Sequence, residues 1–289
     1  MTGILLIDKP AGWTSSDVVA KLRGILRERR IGHSGTLDPM ATGLLVVFVG
    51  RATRAVEFAE SDEKHYRASL RLGLVTDTQD TTGTRLGGTP REVTREELEA
   101  ALPQFRGELE QVPPMYSAIK VKGQKLYEIA RRGGEVERKA RKITITELSA
   151  TGREENGDWT LEISCSKGTY VRTLCHDIGA ALGCGGCMSA LRRTRAGRFS
   201  LDEAHTLDEV QRAADSGCAQ ELLLPLDRLF SEPAATVHAA AEKRLRSGGR
   251  PRTALPNGRC RIYSESGEFL ALCRAEDGEL ITIKSFFEV

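Results

Sequence analysis

The sequence predicts an α+β fold with a smaller β-rich module at its C-terminal end. Two-residue alternation marks half-buried strands: Tyr66, Ala68, Leu70 and Leu72 alternate with Arg67, Ser69 and Arg71, and Trp159, Leu161, Ile163 and Cys165 alternate with Thr160, Glu162 and Ser164. Helical stripes are interspersed with such segments without a regular βαβ repeat, which argues for α+β. After Pro225 and Pro233 the chain turns to short strand-like runs separated by Gly267 and Gly278, a pattern that suits a small module of barrel type.

The elements follow in chain order. Gly3-Ile4-Leu5-Leu6-Ile7 reads as a buried strand that starts at once, without the basic region and cleavage site of a signal peptide, so a cytoplasmic location is expected. Thr14-Ser15-Ser16-Asp17 looks like a helix start, with a hydroxyl cap and an early carboxylate. Val18, Leu22 and Ile25 continue the stripe, and the helix is expected to end near Arg30. Gly32, Gly35, Pro39 and Gly43 predict a loop from Ile31 to Gly43, followed by a buried strand over Leu44–Val49. Thr76–Pro90 reads as a polar loop. Thr94 and Glu97 form a capping box, and Pro103 should kink or end the helix they start. Pro113-Pro114 is a rigid entry to the next segment. Leu174, Ile178 and Leu182 recur at helical spacing after Gly168. A short helix is expected over Ala239–Arg246, stopped by Gly248-Gly249, then strands over Cys260–Tyr263, Phe269–Cys273 and Leu280–Phe287. The domain division expected is 1–230 and 231–289.

At 289 residues, with 40% hydrophobic and 28% charged residues, the chain suits a soluble protein of one large and one small domain. No apolar run is long enough to span a bilayer. The net charge of +2 does not announce a nucleic-acid binder. Basic residues do gather at Lys21–Arg30, Arg138–Lys142, Arg192–Arg198 and Lys243–Arg252; clusters that converge could track a phosphate backbone, though from charge alone they read as solvated faces or turns. Seven cysteines without a secretion signal are expected to be reduced thiols. Cys184 and Cys187, with Cys175 and His176 nearby, lack the second paired cluster of a structural zinc site, so no metal is expected.

Residues 32–43, Gly-His-Ser-Gly-Thr-Leu-Asp-Pro-Met-Ala-Thr-Gly, hold the strongest chemical signal. Glycines let the backbone turn sharply or approach a ligand, and the proline after Asp38 biases that residue to an extended conformation. A carboxylate mounted between a helix and a buried strand is rigidly held, as a nucleophile must be. A lone Asp-Pro would ordinarily be a turn aspartate capping Ala41 or Thr42.

This loop resembles the signature loop of the TruB family of tRNA pseudouridine synthases. Gly3–Pro10 with Gly12-Trp13-Thr14-Ser15 is similar to that family's first motif, and Lys64-His65-Tyr66 to its second. Pro113–Ala118 and Lys125–Glu128 resemble its middle region, and Ser166–Arg172 its third motif. Cys187-Met188 departs from the family's usual histidine and aliphatic residue, outside the catalytic motifs. The resemblance implies a catalytic core around a mixed sheet, the pseudouridine synthase fold, and a PUA-like RNA-binding module at the C-terminal end. It implies conversion of a uridine in the TΨC loop of tRNA, at standard position 55, to pseudouridine. The base is flipped out of its stack, and no cofactor is needed. Asp38 is then the nucleophile, Arg172 its cationic partner and Tyr66 the tyrosine stacked on uracil. His33 enters the RNA loop. Tyr170 and Leu191 line the pocket, Lys64 contributes to RNA binding, and Lys9 orients neighbouring loops. The partner expected is the tRNA T-arm, met by a monomer without an obligatory protein partner. Competing readings are a non-catalytic RNA-binding protein, a guide-RNA-dependent synthase of the related archaeal and eukaryotic branch, and a zinc-binding module.

Overall fold

The computed structural model describes residues 1–59, 63–121 and 123–288. Among them the main sheet has nine strands. Seven lie along one path, in the order Gly3–Lys9, Thr42–Val49, Gly186–Ala196, Lys64–Leu72, Trp159–Cys165, Arg141–Arg153, Gly107–Gln111. Two shorter strands hang off it: Ile31–Ser34 on Thr42–Val49, and Phe199–Ser200 on Gly186–Ala196. The sheet is mixed because one contact is parallel, where Arg192 and Arg193 face Thr42 and Gly43. Gly186–Ala196, third along the path and called the central strand here, is therefore inserted between two strands that precede it by more than a hundred positions.

Both faces of the first two strands are covered, which explains their unbroken apolar runs. Leu5, Ile7, Leu45, Val47 and Val49 pack under the helix Ser15–Leu26. Ile4, Leu6, Leu44, Val46 and Phe48 face Leu226, Leu229, Phe230 and two side chains of the C-terminal module, Leu272 and Phe286. Across the other half of the sheet, the helix Val171–Ala181 buries Val171, Leu174, Cys175 and Ile178 against Tyr66, Ala68, Leu70, Leu161 and Ile163. The C-terminal module is a four-stranded sheet of Ala234–Val237, Gly258–Ser264, Phe269–Glu276 and Glu279–Ser285, with Leu245 of the helix Ala239–Arg246 in its core. The first of these strands carries no apolar alternation and is not foreseen from sequence. First and last strands are not paired with each other among the described residues, so the sheet is open rather than a closed barrel.

Several expectations need correction. The first helix ends at Leu26, not near Arg30, because Arg27 takes a left-handed conformation. Ile31–Ser34, read as the start of a loop, is a strand whose hydrogen bonds to Thr42–Val49 outweigh its glycine. The polar stretch after Thr76 contains a two-stranded turn, Val75–Thr76 with Arg85–Gly87. Arg192–Arg198 is only in part a solvated face; Arg195 and Arg198 are exposed, but most of the run belongs to the central strand and Arg193 has no exposed surface. Cys187 is likewise on that strand, buried beside Met188, so the departure at this pair is absorbed in core packing.

Candidate active site

The loop 35–41 is gripped from four directions. Ser15, buried in the first turn of its helix, accepts from the Leu37 amide at 2.9 Å and donates to the Leu37 carbonyl at 3.3 Å. Thr14 and Asp17 close the capping box that fixes that turn. The Gly12 amide donates to the Pro39 carbonyl at 2.8 Å. Lys9 Nζ donates to the carbonyls of Pro10 at 2.9 Å, Trp13 at 2.7 Å and Pro39 at 3.4 Å. Lys9 thus orients the neighbouring loops, as expected from the sequence. Burial pushes its ammonium down to about 8, with Arg193 acting in the same direction and Asp38 opposing. Arg193 Nη2 donates to the Gly35 carbonyl at 2.9 Å. At Gly43 (φ +96°) a Cβ would collide with the backbone of Arg193, so the parallel contact under the loop requires glycine.

Asp38 is held at the mouth of this loop with 34% of its side chain exposed. Arg172, 5% exposed, approaches from the first turn of the helix Val171–Ala181. Its Nε stands 2.9 Å from Asp38 Oδ2, and its Nη2 donates to Asp38 Oδ1 at 3.2 Å. Nη2 also donates to the Tyr116 carbonyl at 2.7 Å, and Nη1 to the Thr78 carbonyl at 3.1 Å and Asp80 Oδ2 at 3.5 Å. A cation at a helix N-terminus opposes the helix dipole, and two carboxylates with two carbonyls offset that cost. Asp80 is buried and steadied by the hydroxyls of Thr78 and Thr82 and the Thr82 amide. Burial is the largest influence on Asp38 and raises its carboxyl above the usual range. Arg172 pulls it down, the neighbouring Asp80 pushes it up and Lys9 pulls it down.

The remaining predicted residues divide into two groups. Tyr66, Leu191, Leu37 and Ala41 share one buried cluster. Burial pushes the Tyr66 phenol up, while the Arg193 guanidinium beside it acts the other way. Tyr170 caps the helix that carries Arg172; Gln111 accepts from its amide at 2.8 Å and donates to its carbonyl at 3.1 Å. Its half-buried phenol feels both Arg172 and Asp38, although burial dominates and raises it. Lys64 is buried beneath the loop, its Cε against Gly35, rather than on an open surface. His33 stands apart, partly exposed on the short strand that leads into the loop, opposite Val47.

Sequence reasoning missed Asp80 and Arg193. Asp80 sits in a threonine-rich turn where nothing but the surrounding hydroxyls, Thr76, Thr78 and Thr82, hints at a carboxylate needing donors. Arg193 was hidden inside an apparently solvated basic run.

The family matches make this chain a pseudouridine synthase. The chain belongs to the TruB family: residues 23–171 match the family model described as "TruB family pseudouridylate synthase (N terminal domain)" and residues 172–231 match "tRNA pseudouridylate synthase B C-terminal domain". It is 44% identical over 288 residues to the tRNA pseudouridine synthase B of Syntrophomonas wolfei, covering 96% of this chain and 94% of that one. The corresponding protein of Bacillus subtilis is 41% identical over 285 residues, covering 94% and 92%. Among solved structures, a chain of a Cbf5-Nop10-Gar1 complex superposes with a TM-score of 0.73 at 26% identity, over 99% of this chain and 85% of that one. A chain of an H/ACA RNP bound to a substrate RNA containing 2'-deoxyuridine shares the fold, with a TM-score of 0.72 at 24% identity, over 99% of this chain and 85% of that one.

Proposed function

We propose that this protein isomerises uridine to pseudouridine in the T-arm of tRNA, at position 55, with Asp38 as nucleophile. The observation that carries the reading is the Asp38–Arg172 pair in a chain of this family. The reaction breaks the bond from ribose C1′ to uracil N1 and forms one to C5, with no net redox change, so its demands fall on positioned side chains. A carboxylate raised by burial needs a fixed cation to stay ionised, and a guanidinium supplies that charge in a planar fork. Tyr66 offers an aromatic face for the detached base and a hydroxyl toward C5; Tyr170 and Leu191 complete the wall. A uridine stacked in an RNA arm is out of reach, so it must be everted, and in this reading His33, partly exposed on the strand that leads into the loop, enters the space it leaves.

Residues 1–230 form the catalytic domain in this reading, and 231–289 a PUA-like module that grips RNA together with the basic clusters outside the central strand. The closer kinship with the bacterial synthases than with the Cbf5 chain supports action on tRNA without an obligatory protein partner, and this reading takes the protein as a monomer. The test is incubation of the purified chain alone with an unmodified tRNA transcript. Tritium release from C5-labelled uridine, and pseudouridine mapped to the TΨC loop, are expected; no release from bare transcript refutes the proposal.

A further inference from the structure

Among the described residues Arg193 is the largest side chain with no exposed surface. An arginine stays charged even there. Its Nε donates to the Leu44 carbonyl at 2.7 Å and its Nη2 to the Gly35 carbonyl at 2.9 Å, and among the described residues neither anchor nor neighbour is a carboxylate paired with it. Nη1 is buried and completes no hydrogen bond of ordinary distance and angle among the described residues. A dry cation without a counter-ion is expensive, and two backbone carbonyls alone could be satisfied by a neutral donor.

Its surroundings point to a reason. Arg193 lies directly opposite Tyr66 in the antiparallel contact between the central strand and Lys64–Leu72, and its guanidinium is beside the Tyr66 phenol. At Gly35 (φ +68°) a Cβ would lie 3.1 Å from Nη1 and crowd it. The glycine therefore leaves the third nitrogen room while its carbonyl anchors the second.

We propose that Arg193 is a positioning residue for Tyr66: tied to the backbone through Nε and Nη2, it turns Nη1–H to the phenol oxygen and thereby directs the Tyr66 O–H at the bound uracil. A phenol oxygen that accepts from a cation on one lone pair turns its own hydrogen away from that cation. The guanidinium also favours negative charge on the oxygen, against the effect of burial. The inference rests on the reading of Tyr66 as a wall of the uracil site.

The discriminating experiment is a double-mutant cycle on the full chain. Single-turnover tritium release from saturating tRNA is measured for Arg193→Gln, Arg193→Lys, Tyr66→Phe and the two doubles, with a thermal melt of each. Arg193→Gln is expected to slow the step at least about tenfold when Tyr66 is present, as for loss of a charged hydrogen bond, and Arg193→Lys to recover part of it. In the Tyr66→Phe background the same changes should cost less than about twofold. Equal losses in both backgrounds, or loss of the cooperative melt in both Arg193 variants, would assign Arg193 to holding the loop and overturn the proposal. A wild-type rate for Tyr66→Phe alone sinks the hydroxyl's role itself, a result separate from slow Tyr66→Phe with equal losses.

Discussion

Arg172 meets Asp38 across 134 positions of chain, with Nε 2.9 Å from one carboxylate oxygen and Nη2 bonded to the other. The pair joins two segments whose motifs lie in different halves of the catalytic region. Asp38→Asn keeps the shape of the loop and removes the charge, so turnover should disappear while tRNA binding stays within about threefold of the wild type. Filter binding beside tritium release checks both; robust product formation would refute the nucleophile.

Asp80 acts on Asp38 in two ways that can be separated. It is the second carboxylate on Arg172, so Asp80→Asn should loosen the guanidinium and slow turnover by roughly tenfold to a hundredfold. It also raises Asp38, so its removal lets Asp38 ionise at lower pH. The acid limb of single-turnover rate should therefore begin above the ordinary carboxylate range in the wild type and move to lower pH in the variant. An unmoved limb with a reduced rate would leave only the mechanical role.

Lys9 gives a stability signature. Its folded value of about 8 lies below the 10.5 of the unfolded chain, so between these values the unfolded state binds the proton and the folded state does not. Stability from this group accordingly rises as pH climbs from about 8 toward 10.5. Lys9→Met should lack the gain. Denaturant midpoints of both proteins at pH 7 and pH 10 read the difference directly.

His33 lies, partly exposed, on the strand Ile31–Ser34 that leads into the Asp38 loop. His33→Ala should weaken apparent tRNA affinity about tenfold and leave the single-turnover rate at saturating RNA within about threefold. A larger fall in the saturated rate than in affinity would move His33 into the chemistry.

The Asp38 loop, its helix and the Tyr66 strand were readable because local chemistry agrees with tertiary role: Thr14 and Asp17 cap, glycines turn, and Tyr66, Ala68 and Leu70 alternate. The partnership of Arg172 with Asp38 was legible only through family resemblance, since an isolated arginine is ordinarily exposed. The central strand was not legible. Its run Ala190-Leu191-Arg192-Arg193-Thr194-Arg195 alternates apolar and charged residues poorly, because Arg193 occupies an interior position normally filled by an apolar side chain. Asp80 escaped for the opposite reason: a short polar turn looks the same whether it faces water or a buried guanidinium.

The insertion of Gly186–Ala196 between Thr42–Val49 and Lys64–Leu72 bears on how the molecule is born. Until the ribosome has delivered that late segment, Lys64–Leu72 presents an unfilled edge, Thr42–Val49 lacks its partner at Thr42 and Gly43, and neither Gly35 nor Leu44 has its guanidinium. A partial product released before that point would be inert toward RNA and prone to stick to other chains, so competence arrives in one late closing event rather than by degrees.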